Sequence, residues 1–120
     1  MALQLKDLTD DEQLALVALL KAVAEADQYV TEGEATQLRR VIAAIGRKAY
    51  ETAAEESDRR FHDKAELREF LSTITRQEAC ELIYETALEV ALADAPVPAE
   101  TEILDWLKGI WKITVRIVKD

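Results

Sequence analysis

Asp27 and Asp94 each stand where a carboxylate is hard to accommodate. Asp27 continues the apolar series Leu16, Leu20, Val23, and Asp94 continues Ile83, Ala87, Val90. Both series step back from the Asp by four, seven and eleven residues, which traces one face of a helix. Each carboxylate is therefore expected on the buried side of its helix. Each also falls near a predicted helix C-terminus, where the macrodipole is negative and repels an anion. An inward-facing Asp at that pole needs backbone N–H donors, a cation or protonation. Two chemistries follow. One is a charged hydrogen-bond clamp across a helix–loop–helix corner. The other is an oxygen ligand for a hard divalent cation.

The surroundings of the two Asp residues match. Ala26-Asp27-Gln28-Tyr29-Val30-Thr31-Glu32-Gly33-Glu34 and Ala93-Asp94-Ala95-Pro96-Val97-Pro98-Ala99-Glu100 share a pattern. Each has an Ala-Asp pair, a Val three residues after the Asp, and a Glu in the first turn of the next helix. The Asp residues lie 67 positions apart. This internal repeat predicts two related helical halves packed about a pseudo-twofold axis.

The elements that must position these residues are helices. Capping boxes, in which Ser, Thr or Asp and a Glu three residues on satisfy free N–H groups, mark Thr9…Glu12, Thr31…Glu34, Asp63…Glu66 and Thr75…Glu78. Pro98 opens the last helix, where a missing N–H is harmless. Gly46 is a natural stop for the second. The pattern predicts helices at about 10–27, 32–45, 48–57, 64–73, 76–94 and 98–116, with the stretch 57–62 as a connector. The β-branched tail from Ile113 to Val118 is a poor helix former but has no strand to pair with, so the last helix is extended into it. The fold class expected is all-α, a compact bundle of about six helices in one 120-residue domain.

Composition narrows the function. A net charge of −9 argues against nucleic acid, because phosphate contacts need a Lys/Arg surplus. It suits a soluble acidic protein that attracts cations. Cys80 is the single cysteine, which rules out an internal disulfide or a thiolate zinc cluster. It is read as a packed, inert thiol near a helix start. No segment reads as an export signal or a membrane span, so a cytoplasmic location is expected. His62 reads as a solvated loop residue. No nucleophile–base pair, phosphate-binding Gly loop or redox pair stands out, so no enzymatic activity is expected.

The two Asp motifs resemble the tellurite-resistance TerB family and its TerB-like relatives. The family signature is an Ala-Asp-Gly turn, an aliphatic residue two places later and a Glu opening the next helix, once in each half. Leu38, Val41, Ile42 and Ile45 before Gly46 resemble the apolar helix that follows the first copy, and Leu104, Leu107 and Ile110 follow Glu100 in a similar register. The resemblance spans nearly the whole chain. It implies an all-helical fold, an association with tellurite resistance or a related stress response, and acidic residues proposed to bind metal. By position these are Asp27 and Glu34 in the first half and Asp94 and Glu100 in the second. Two features depart from the family. Gln28 and Ala95 replace the Gly that adopts positive φ freely, and Pro96 and Pro98 stiffen the second loop and remove two N–H donors.

Both chemistries remain open for these carboxylates. If the halves pack face to face, Asp27, Glu34, Asp94 and Glu100 approach one cation, and an oxygen-only set selects calcium, magnesium or manganese. Alternatively both Asp corners are structural, Glu34 serves the Thr31 capping box, and Glu100 answers the helix dipole. Glu32 or Glu102 could take part instead. The last helix also carries a polar stripe, Asp105, Lys108, Lys112, Arg116 and Lys119, with Leu104, Leu107, Ile110, Trp111, Ile113, Ile117 and Val118 covering the rest and Trp106 at its edge. Over 98–118 this reads as a docking face for a protein partner, a second copy or an anionic membrane surface. The competing reading is a central bundle helix. The function expected is that of a non-enzymatic TerB-like stress protein; its rival is a protein-interaction scaffold.

Overall fold

The run Leu14-Ala15-Leu16-Val17-Ala18-Leu19-Leu20 is apolar on every side, and every one of these residues is buried. A helix with no polar face belongs in the middle of a bundle, and helix α1 (Asp10–Glu25) takes that place. Around it run α2 (Glu32–Ile45), α3 (Arg47–Arg60), α4 (Lys64–Leu71), α5 (Gln77–Ala91) and α6 (Pro98–Ile110). The computed structural model describes residues 4–25, 32–91 and 98–111, without the side chains of 24, 25, 34 and 98–101. Among the described residues there is no strand, and the chain is all-α.

α1 packs against α3, α4, α5 and α6, while α2 lies on α3 and α5. α3 turns small side chains, Ala53 and Ser57, to the interior. α5 contributes Ile83, Ala87 and Val90, each with no exposed area. α6 adds Leu104, Leu107 and Trp111. The indole Nε1–H of Trp111 donates to the Leu71 carbonyl at 3.0 Å, tying the end of α6 to the end of α4. That buried N–H is thereby satisfied.

Two capping boxes form much as predicted. Glu12 N–H donates to Thr9 Oγ1 at 3.2 Å and Thr9 N–H donates to Glu12 Oε1 at 2.9 Å. At the start of α4, Glu66 N–H donates to Asp63 Oδ1 at 2.8 Å, but the Glu66 carboxylate reaches one residue further back, to His62 N–H at 2.9 Å. α5 begins at Gln77, with Cys80 N–H donating to the Arg76 carbonyl, so the helix opens past Thr75. Thr31 lies outside the described residues.

Three expectations change. The third helix runs to Arg60, not 57, so most of the predicted connector is helical. Its continuation is supported by Glu56 pairing with Arg59 and Arg60, by Lys21 pairing with Asp58, and by the burial of Ser57. The corner is only Phe61 to Asp63. An unpredicted 3-10 turn, Leu5–Asp7, precedes α1 and packs on α2. The central helix is α1, whereas α6 buries one face: Asp105, Lys108 and Gly109 are exposed, and Ile110 is 37% exposed. The predicted continuations 26–27, 92–94 and 112–116 fall outside the described residues. No helix among the described residues is long and apolar enough to cross a membrane.

Candidate functional site

The stripes that lead toward the two acidic motifs are buried as their spacing requires. Leu16, Leu20 and Val23 on α1, and Ile83, Ala87 and Val90 on α5, have no exposed area. Asp27 and Asp94 themselves lie outside the described residues. Glu34 and Glu100 are the third residues of α2 and α6, but their side chains lie outside the described residues too. Of the alternatives, Glu32 and Glu102 are both exposed. Among the described residues no group of three or more His, Cys, Asp or Glu side chains could hold a metal ion.

The helix ends beside the two motifs nevertheless border one cavity of about 380 Å³. Lys21 and Ala22 line it from the last turns of α1, and Glu102 and Ile103 from the first turns of α6. The α3–α4 corner, with Phe61, His62 and Asp63, and the α4 residues Lys64, Leu67 and Arg68 complete the wall. The lining joins an apolar floor to a charged rim, as small-ligand sites do.

Several of the rim charges are occupied. Lys21 pairs with Asp58. Asp63 is the N-cap of α4. His62 is exposed, with Nδ1 3.4 Å from Glu66 Oε1. Arg68 differs. Its guanidinium lies over the Trp106 ring, 5.1 Å from the centroid. Its Nε is shut off from water without a hydrogen-bond acceptor. An unmet buried N–H costs about 1–3 kcal/mol, so this is an unusual feature for a native side chain. Sequence reasoning missed Arg68. The available signal was the Lys64…Arg68 pair at i,i+4 spacing; the link to Trp106 depends on how α4 and α6 meet. On its other side α4 is flanked by a second cation–π cluster, with Arg60 4.9 Å from the Phe70 ring and Phe61 5.2 Å from Phe70.

At the opposite end of α1, Arg76 grips Glu12, which is only 6% exposed. Burial pushes the Glu12 carboxyl up, but hydrogen bonds from Arg76 and Thr9 and the Arg76 charge outweigh it and hold the group below its ordinary range. Beside this pair, Cys80 is buried and its thiol donates to the Ile74 carbonyl at 3.5 Å. Burial, then the Glu12 charge, push the Cys80 thiol up to about 11. The thiol is packed, as its sequence context suggested.

An all-α bundle, with six α-helices among the described residues and a cavity between α1, the α3–α4 corner, α4 and α6, is the class of protein this fold defines. The family model for the tellurite resistance protein TerB matches residues 13–114, and the chain belongs to the TerB family. No curated protein and no solved structure matched the chain.

Proposed function

We propose that this TerB-family chain is a non-enzymatic cytoplasmic protein of a stress or tellurite-resistance response that holds one divalent cation through its acidic helix corners. Asp27, Glu34, Asp94 and Glu100 are the ligands of this reading, and calcium, magnesium or manganese the ions. The observation that carries it is that the α1 end beside the first motif and the α6 start beside the second line the same cavity. Two segments distant in sequence thus border one space, which supports a reading in which their carboxylates share an ion. The net charge of −9 favours cation capture as well. Any role against tellurite is indirect, since the sole cysteine is buried and its thiol is pushed up to about 11.

The experiment is a titration with calcium, magnesium and manganese, followed by melting temperature and by amide shifts at 27, 34, 94 and 100. A ligand that binds only the native state at about 100 times its Kd adds about 2.7 kcal/mol of stability, a plain upward shift in melting. Asp27→Asn combined with Asp94→Asn is expected to keep the helical content and abolish that shift. If neither melting nor amide shifts respond to any of the three ions, the cation reading is wrong.

A second reading has its own support. The described cavity wall carries Lys21, Lys64 and Arg68 together with Asp58, Asp63 and Glu102, so cationic and anionic side chains balance in number. This favours Asp corners that clamp backbone N–H groups within a protein-interaction scaffold. In that case the double Asn variant loses stability and no cation effect exists to lose. The partner, or a second copy, would meet the exposed side of α6 around Ile110.

A further inference from the structure

We propose that the cavity between α1, the α3–α4 corner, α4 and α6 binds a small organic carboxylate with an apolar body, and that Arg68 and Lys64 hold its charged head. This goes beyond the cation reading, and it stands on α4, a helix that lies between the two acidic motifs in sequence and contains neither.

Arg68 carries the argument. Its guanidinium is positioned over Trp106 at 5.1 Å, yet among the described residues it has no ion-pair partner and its Nε has no acceptor. The side chain is only half-buried, so the outer N–H groups stay reachable from the cavity it lines. A planar fork held over an aromatic ring loses less freedom than a free one when it meets a carboxylate, and its geometry suits two parallel hydrogen bonds. Lys64 sits one turn earlier on the same face of α4 and lines the same cavity. It too forms no ion pair among the described residues.

The remaining charges sort themselves around this pair. Lys21 is neutralised by Asp58, and Asp63 is committed to the α4 cap. Glu102 stands on the α6 wall, so a ligand's anionic head is directed to the α4 side. Leu67, Phe61 and Ile103 supply the apolar surface. That surface favours a ligand with a hydrocarbon body over a bare hydrated anion. The volume of about 380 Å³ is on the scale of small-molecule sites.

The test is a ¹H–¹⁵N titration of the full chain, free of divalent cations, with sodium benzoate at constant ionic strength. Benzyl alcohol provides the body without the charge, and inorganic phosphate the charge without the body. Because no cation is present, the outcome is read separately from that of the cation titration. Benzoate is expected to give saturable shifts on α4 and at Ile103, with Kd on the order of 1 mM for so small a ligand. Arg68→Gln should weaken it roughly tenfold, and the exposed Lys64→Gln roughly threefold. Arg68→Lys should recover only part of the loss, since the ammonium lacks the fork. Should Arg68→Gln fail to fold, Lys64→Gln decides alone. The proposal is overturned by an absence of saturable benzoate shifts, by benzyl alcohol or phosphate binding as tightly as benzoate, or by benzoate affinity that is unchanged in Lys64→Gln and in a folded Arg68→Gln.

Discussion

Glu12 and Arg76, 64 residues apart, are joined by two parallel hydrogen bonds, Nε to Oε2 at 3.0 Å and Nη2 to Oε1 at 2.5 Å. The same carboxylate closes the capping box with Thr9, and Arg76 Nη2 also donates to the Asp7 carbonyl at 3.4 Å. One glutamate therefore starts the central helix and fastens it to the segment leading into α5.

Replacing this group should be felt in stability and in its pH dependence. Glu12→Ala removes the cap and the bond to Arg76, and about 2 kcal/mol should be lost in urea denaturation at neutral pH. Because the folded carboxyl titrates below its ordinary value of 4.5, its contribution is present above that value and lost as pH falls through the folded one. Wild-type stability should therefore fall more steeply than that of Glu12→Gln on acidification below about 4.5. Parallel pH profiles for the two proteins would contradict this assignment.

Cys80 should resist thiol reagents in the native state. With its thiol pushed up to about 11, the thiolate fraction at pH 8 is about 10⁻³. Labelling with a disulfide reagent should be slow in buffer and fast in urea. The raised value has a sign for stability as well: the contribution is complete below the ordinary 9.0 and disappears as pH climbs toward about 11. Alkaline unfolding should accordingly be less steep in Cys80→Ala.

Gly46 joins α2 to α3 at φ +96 and ψ 139, a region essentially reserved for glycine. A Cβ placed there meets nothing within 4 Å, so the penalty of Gly46→Ala is purely conformational. About 1–3 kcal/mol should be lost, with helical content by circular dichroism unchanged. A neutral substitution would show that the chain turns differently at this point.

Trp111→Phe removes the bond to the Leu71 carbonyl while keeping most of the buried ring, which is 5% exposed. That carbonyl still accepts from Ile74 N–H at 3.2 Å, so it is not orphaned. The expected loss is about 1 kcal/mol. In the remaining protein Trp106 is half-buried against Arg68, and quenching by acrylamide should be greater than in wild type.

Much of the fold was legible because helix signals are local. The spacing of Leu16, Leu20 and Val23, the Thr9…Glu12 box and the Asp63 cap are each read within a few turns of chain, and each has its structural counterpart. The end of the third helix was not legible. Ser57 to Arg60 look like a polar connector until Lys21, on another helix, takes up Asp58. Ile110 shares the apolar spacing of Leu107 yet is exposed, because α6 lies at the side of the bundle and packs along one face. Arg68 was invisible for the same reason, since an arginine on a short helix is unremarkable until Trp106 of α6 comes over it.

The chain by itself determined its helical class, most of its helix starts, its buried stripes and the motifs that carry its TerB membership. These rest on periodicity and on hydrogen bonds between near neighbours, which are properties of short segments. Only the tertiary structure decided which helix lies at the centre, that Glu12 meets Arg76, and that the α1 and α6 ends beside the acidic motifs line one cavity. Periodicity states which side of a helix is buried. It does not state against what, because partners distant in sequence are chosen by how all the apolar faces are buried at once.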